Sequence, residues 1–227
     1  MDAAVDGPVV VRRTAGYSLL LSLLVAVVGL ALALSARPFG ILVTVSVQAA
    51  TVVVALHVTG AARPLRRAVS VALIVVLVVL AVVTSPLTPA SPELSLRLAR
   101  VVGLGLAVAI PVRIARDVAR SHRITLDTVA AGLCVYLLLG LGFGYAHVLV
   151  SGWLPGAYST ALTDQDAMYL SFVTLTTVGF GDVVPLSGPA RAVTIVEGIM
   201  GQLYLVSVIA LLVGNLGRER DRGSAAG

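Results

Sequence analysis

Long apolar runs broken by short clusters of Arg, Pro and Gly set the pattern of this chain from residue 17 onward. A helix needs about 20 mainly apolar residues to cross the hydrocarbon of a bilayer. Counting generously at the ends, six stretches qualify: 17–36, 40–60, 68–85, 94–112, 125–151 and 189–215. The third is the barest, with no polar side chain from Val71 to Val83. The pattern predicts an all-α, polytopic membrane protein with six transmembrane helices. No small-residue cleavage site with a polar chain beyond it follows the first run, so that run reads as a span and not as a signal peptide. No internal repeat at a solenoid period is present.

Composition agrees. Of 227 residues, 58% are hydrophobic, and the mean hydropathy is +1.02, well beyond the usual balance of a soluble domain. The net charge of +5 is carried by Arg alone, because the chain has no Lys. Arg12 and Arg13 precede the first run, and Arg63, Arg66 and Arg67 lie between the second and third. Arg113, Arg116, Arg120 and Arg123 lie between the fourth and fifth, and Arg218, Arg220 and Arg222 follow the sixth. These alternate connections share one side. The opposite loops hold only Arg37 and Arg191, with Arg97 and Arg100 near the outer end of the fourth run. Positive charge collects on the cytoplasmic side, so both termini are expected there, in a multi-pass protein of the cell membrane. Topology and attraction to membrane lipids then account for the basic pI without nucleic acid. The one Cys, Cys134, sits in an apolar run and suggests neither a disulfide nor a metal site.

The fifth connection, 152–188, differs from the rest: it carries Asp164, Asp166 and Asp182 and a short helical run. Thr163 with Asp166 three residues on makes a capping-box start. About twelve residues follow, too few to span, which predicts a re-entrant half-helix ending near Thr176. Its C-terminus directs partial negative charge toward the membrane centre and favours a cation there. Thr177-Val178-Gly179-Phe180-Gly181 comes next. A selectivity filter replaces an ion's water with backbone carbonyls turned to one side, and alternating Gly permits that turn. Gly179 and Gly181 supply the alternation, Thr177 adds a hydroxyl, and Val178 and Phe180 are expected to point backward into packing.

Thr174-Leu175-Thr176-Thr177-Val178-Gly179-Phe180-Gly181-Asp182 resembles the potassium-channel signature. Pro185 follows at the usual step, and Gly201 lies 19 residues after Asp182, where the family's inner helix often has its hinge glycine. Residues 197–204 are similar to the inner helix of small bacterial ion-channel proteins. The resemblance covers about 125 to 217, roughly 40% of the chain. It implies potassium-selective, passive conduction by a homotetramer, with K+ held at Thr177, Val178, Gly179 and Phe180 and no other cofactor. Thr174, Thr176 and Asp182 would support the filter. Phe180 stands where Tyr is commoner, Val173 where some members place Glu, and Leu170 where some place Trp. Asp182 is therefore expected to lack its usual partners.

Other residues carry narrower expectations. Glu197 is the only acid well inside a predicted span, so it needs a partner or a proton. It is assigned as filter support from the inner-helix side, with a filter or pore-helix group as partner. Gly198 and Gly201 are assigned as a gating hinge, with close packing against the pore helix as the alternative. His57 and His147 read as wetted residues near span ends. Arg97 and Arg100 are followed in register by neutral residues, and no Asp or Glu occurs between Gly7 and Pro92. The fourth helix therefore reads as anchored at the membrane interface and not as a strong voltage sensor. Residues 112–124 read as an amphipathic helix on the inner leaflet.

These readings divide the chain into a four-helix region with its basic linker (1–123), a pore domain (124–217) and a short cytoplasmic tail (218–227), with no room expected for a further cytoplasmic domain. No phosphate loop, metal cluster or paired catalytic carboxylates suggest an enzyme. A weakly selective cation channel and a non-conducting subunit that recruits a partner are the rival readings.

Overall fold

Proline sits at the starts of the helices, where its missing N–H costs nothing. In the computed structural model, which describes residues 19–30, 33, 38–58, 60, 62–83, 92–119 and 126–224, α1 is Leu19–Leu30. Then come α2 (Pro38–Val58), α3 (Arg63–Val83), α4 (Pro92–Ala119), α5 (Leu126–Trp153), α6 (Asp164–Leu175) and α7 (Gly188–Ser224). Pro38 and Pro92 open α2 and α4, while Pro64 and Pro189 are the second residues of α3 and α7. Gly60, at φ 63°, closes α2 by donating to the His57 carbonyl. No strand occurs among the described residues; a lone antiparallel bridge joins Tyr158 to Pro185.

Two helical segments, Thr128–Trp153 and Gly188–Val208, are long and apolar enough to cross a membrane. The apolar run expected over 94–112 and the helix expected over 112–124 are continuous as far as Ala119: α4 carries Pro111 inside it and runs through both. Helix α7 likewise runs through the expected tail boundary at Gly217 to Ser224. Residues Arg12, Arg13, Arg37, Arg120 and Arg123 of the topology argument lie outside the described residues.

Helix α5 is the centre of the molecule. It packs on α4, α6 and α7, and α4 in turn meets α2 and α3. Leu20, Leu24 and Val27 of α1, Val52 and Leu56 of α2, Leu73 of α3 and Leu138 and Leu141 of α5 share one buried cluster, which reaches Met168 of α6. A polar relay crosses it. Tyr145 Oη donates to Gln48 Oε1 at 2.9 Å, and Gln48 Nε2 donates to the Gly103 carbonyl at 3.2 Å. The fully buried amide of Gln48 is thereby satisfied on both sides.

Glycines set how closely these helices approach. A Cβ on Gly103 would meet the Tyr145 ring at 2.7 Å, and one on Gly140 would meet the Phe172 ring at 2.5 Å. On Gly144 it would run into Met168 Sδ. Phe172 and Met168 both belong to α6, so the α5 glycines seat that short helix.

A second tie reaches α6 from α4. Arg100 forks onto Asp164 in the first turn of α6, Nε to Oδ1 at 2.7 Å and Nη2 to Oδ2 at 2.9 Å. Arg100, expected to anchor the fourth helix near its outer end, is held by a carboxylate of the chain itself. Both side chains are about one-fifth exposed, 21% and 18%. The bidentate geometry makes this pair directional as well as attractive.

Gly140→Ala is expected to destabilise the protein by about 1–3 kcal/mol, because the aromatic ring under it has nowhere to go. Gly105→Ala, which meets nothing within 4 Å, should be neutral or slightly stabilising, by less than about 1 kcal/mol. Thermal midpoints of the two purified variants check this. Equal midpoints would show that α5 and α6 are not in tight contact.

Candidate functional site

Helix α6 is twelve residues long and is capped as its sequence spells. Thr163 is extended, at φ −75° and ψ 168°, and its hydroxyl oxygen accepts from the Asp166 amide. Asp166 Oδ2 reaches back to the Thr163 amide at 3.1 Å, closing the box.

At the other end every terminal carbonyl is answered. Phe172 O accepts from the Thr176 amide and from Thr176 Oγ1 at 2.6 Å. Val173 O accepts from the amides of Val178 and Gly179, and Thr174 O from the amide of Thr177. Leu175 O accepts from Tyr136 Oη of α5 at 3.1 Å. The last turn of α6 therefore folds the segment that follows it.

That segment alternates. Thr177, Gly179 and Gly181 have φ of 60°, 55° and 76°, and Val178 and Phe180 between them are not in the positive region. Alternation of left- and right-handed residues turns successive carbonyls to the same side. At Gly179 and Gly181 an added Cβ would touch nothing within 4 Å; glycine is needed there for its backbone and not for space. Thr177 holds the same conformation with a β-branched side chain. Such strain is kept where the surroundings over-determine it, here through the Thr177 amide bond to Thr174.

Val178 and Phe180 were expected to pack backward. On a single chain they are 54% and 70% exposed. Phe180 does have one neighbour, Tyr169 of α6, whose ring is stacked on it with centroids 6.3 Å apart. Tyr169 also hydrogen-bonds Asp182. Desolvation first, then the bond to and charge of Asp182, hold its phenol proton above the usual range. Asp182 thus has a partner after all. The expected positions for a partner were Val173 and Leu170; the partner is Tyr169, the residue just before Leu170.

Beyond Asp182 the chain is tied to the turn that follows α5. Ser159 N donates to Val184 O at 2.9 Å, and Leu186 N donates to Ala157 O at 2.8 Å. Val184 N donates to Ser159 Oγ. Tyr158 lies inside this pairing, and its side chain runs inward, 3% exposed.

Inward from Tyr158 lies the buried polar cluster of the site. Its hydroxyl meets His147 Nδ1 at 2.8 Å, and His147 Nε2 meets Glu197 Oε2 at 2.8 Å. Glu197 Oε1 meets Ser171 Oγ at 2.5 Å, and Ser171 Oγ is 2.7 Å from the Gly140 carbonyl. His147, Glu197 and Ser171 are wholly buried. The cluster joins α5, α6, α7 and the outer turn. Burial, and any negative charge on Glu197, push the Tyr158 phenol up to about 12. It keeps its proton at neutral pH.

Glu197 does find a pore-helix partner, Ser171, as expected. Its histidine partner was missed, and His147 is not wetted. The available signal was that both are ionisable and both lie within apolar runs, where such groups pair. His57 stays exposed, with Nδ1 on the Val53 carbonyl at 2.7 Å.

Of the two α7 glycines, Gly201 is the packing position. A Cβ there would meet Leu175 O and Cδ1 at 2.9 Å, whereas one on Gly198 would meet nothing within 4 Å. Helix α7 is continuous through both. Farther along, Tyr204 stacks on Tyr136 with centroids 5.9 Å apart and donates to the Gly132 carbonyl. Among the described residues no cluster of His, Cys, Asp and Glu could hold a metal.

Residues 128–217, the α5–α6–α7 unit, match the model of a family described as ion channels. The chain is similar to Protein LctB of Bacillus caldotenax, 30% identical over 102 residues, 41% of this chain and 75% of that one. It is also similar to Protein LctB of Geobacillus stearothermophilus, 29% identical over 106 residues, 43% of this chain and 78% of that one. No solved structure matches. With a half-helix and an alternating backbone set between two membrane-length helices, and with these relatives, the chain belongs to the ion-channel family.

Proposed function

We propose that this protein is a subunit of a potassium-selective channel, with four copies arranged around one pore. The observation that carries the reading is the alternation of positive φ at Thr177, Gly179 and Gly181 directly after the α6 terminus. The carbonyls of Thr177, Val178, Gly179 and Phe180 then replace the hydration shell of K+, and the α6 C-terminus adds partial negative charge below them. Conduction is passive and needs no cofactor. Thr174, Thr176 and Asp182 support the filter through the bonds described above.

The exposed face of α7 supports assembly. Ile195 and Leu203 are 60% and 63% exposed, and Ile199 and Val206 continue the face. Together with Val178 and Phe180 this is apolar surface that further copies of the chain would cover. One chain supplies one filter strand, and a carbonyl cage needs four.

The N-terminal helices belong to the same membrane unit, which makes six spans with both termini cytoplasmic, by the Arg distribution. Gating by flexure at Gly198 fits its uncrowded position better than flexure at Gly201, which is pinned against Leu175.

Gly179→Ala and Gly181→Ala are each expected to abolish conduction or the preference for K+ over Na+. Reversal potentials in paired potassium and sodium baths read this out. Retained preference in both variants removes the filter assignment.

Voltage dependence is expected to be weak, because Arg100 is held by Asp164 of α6. Neutralising both partners together, Arg100→Gln with Asp164→Asn, should leave the steepness of the conductance–voltage curve unchanged. A native channel that opens with a steepness of several charges per subunit would show that α4 moves in the field.

A further inference from the structure

The buried cluster behind α6 has four short contacts and a limited supply of protons. Tyr158 brings one, on its hydroxyl. Ser171 brings one, yet its Oγ lies 2.7 Å from Gly140 O and 2.5 Å from Glu197 Oε1. A hydroxyl donates one hydrogen. If Ser171 donates to Gly140 O, the contact with Glu197 must be supplied by a proton on Glu197. If it donates to Glu197, two bare oxygens face each other at 2.7 Å.

One distribution serves all four contacts. Tyr158 O–H donates to His147 Nδ1, and His147 Nε2–H donates to Glu197 Oε2. A proton on Glu197 Oε1 then donates to Ser171, and Ser171 donates to Gly140 O. The whole chain of bonds is neutral, which suits a site with no exposure. The ion-pair alternative, a carboxylate beside an imidazolium, has the same number of protons and places them worse. His147 Nδ1–H would then point at Tyr158, whose own proton would lose its acceptor, and one Ser171 contact would again go without.

We infer that Glu197 carries a proton in a buried brace, Tyr158–His147–Glu197–Ser171, that positions the pore helix and the turn beyond the filter only while His147 and Glu197 share one titratable proton between them. The inference rests on the channel reading and adds regulation to it. His147, Ser171 and Tyr158 are positioning residues and touch no ion. A second proton, taken up by His147, turns Nδ1 from acceptor to donor and leaves a buried cation with no counter-charge. Loss of the proton leaves a buried carboxylate and the bare oxygen pair. Either change loosens the link between α6, α7 and the Tyr158 turn, which is paired to the chain leaving the filter. Conduction should therefore fall at both ends of the pH range.

Among the described side chains, the titratable and charged groups on the surrounding elements are Cys134, Tyr136 and Tyr145 of α5, Asp164, Asp166 and Tyr169 of α6, Arg191 and Tyr204 of α7, and Arg97 and Arg100 of α4, with Asp182 and Tyr158 in the connections. Tyr136 and Tyr158 lie close enough for a charge on Glu197 to act on them. Asp164 is engaged by Arg100. None of these supplies a cation to offset a carboxylate at Glu197 in the way a protonated His147 would.

The substitution Glu197→Gln discriminates, because an amide accepts from His147 and donates to Ser171 as the protonated acid does. Purified wild type, Glu197→Gln, Glu197→Val and His147→Gln would be compared by potassium flux in liposomes across pH. Infrared difference spectra and thermal midpoints across pH would be taken on the same samples. Wild type should show the C=O stretch of a protonated carboxylic acid at neutral pH, absent in Glu197→Gln. Flux and midpoint should fall toward both acid and alkaline pH in wild type. Glu197→Gln should lose the alkaline fall and conduct about tenfold better than Glu197→Val, the difference made by one or more buried polar groups left unsatisfied. His147→Gln should lose the acid fall. Absence of the carboxylic band, or flux and midpoint profiles that are the same in wild type, Glu197→Gln and His147→Gln, would overturn the brace. Absence of potassium flux in wild type at every pH would instead overturn the channel reading, and the infrared and thermal measurements would still decide the brace.

Discussion

On the channel reading α6 is a half-helix ending at membrane depth, where its last carbonyls have no water to turn to, and the surroundings of α6 follow from answering them. Three of the four are answered by the segment they introduce: Phe172 O by Thr176, Val173 O by Val178 and Gly179, and Thr174 O by Thr177. The fourth, Leu175 O, is answered from α5 by Tyr136. Helix end and following loop are therefore one hydrogen-bonded unit. That unit is what holds Thr177 at a positive φ that a β-branched residue would otherwise avoid. Val173 illustrates the substitution of means. Its side chain offers no carboxylate behind the loop, but its carbonyl takes two amides at the loop's first bend.

Such a unit needs rigid walls, and small residues let the walls come close. Gly140 and Gly144 admit Phe172 and Met168 into the face of α5, and Gly201 admits the end of α6 against α7. Close packing of this kind replaces the hydrophobic drive that helices lack among lipid tails. Polar contacts then fix register where apolar packing alone would permit sliding. Ser171 with Glu197 ties α6 to α7, and Tyr145 with Gln48 ties α5 to α2.

What could be read from the sequence was what local chemistry spells. Thr163 and Asp166 encode the α6 cap within four residues, and Gly179 and Gly181 encode their own backbone angles. The twelve-residue length of α6 follows from those two markers. What could not be read depends on partners brought together by packing. Arg100 and Asp164 are 64 positions apart, and His147 and Glu197 are 50 apart. A lone His in an apolar run has no local feature that separates a wetted end from a buried bridge. Tyr169, the partner of Asp182, is not at either position where the resemblance implies one. The continuity of α4 through Pro111 into the basic segment was not legible either, because the apolar run and the Arg-bearing stretch after it differ in composition although they form one helix to Ala119.

The polar groups of the N-terminal helices bear on what those helices do. A sensor charge that moves must exchange one partner for another along its path. Between Gly7 and Pro92 there is no Asp or Glu to offer such a path. The buried polar groups that do occur in α2 are already engaged, Gln48 by Tyr145 and Gly103, and Thr51 by the Val47 carbonyl at 2.8 Å. Arg100, the cation best placed to move, is forked onto a carboxylate of the half-helix itself. Displacing it would strand Asp164 beside α6, a larger cost than any the neutral surroundings of α4 could offset. On the channel reading, α1 to α4 therefore brace the pore unit from its α5 side, and a stimulus acting on them would reach the filter through Arg100 and Tyr145 before it reached the inner helix.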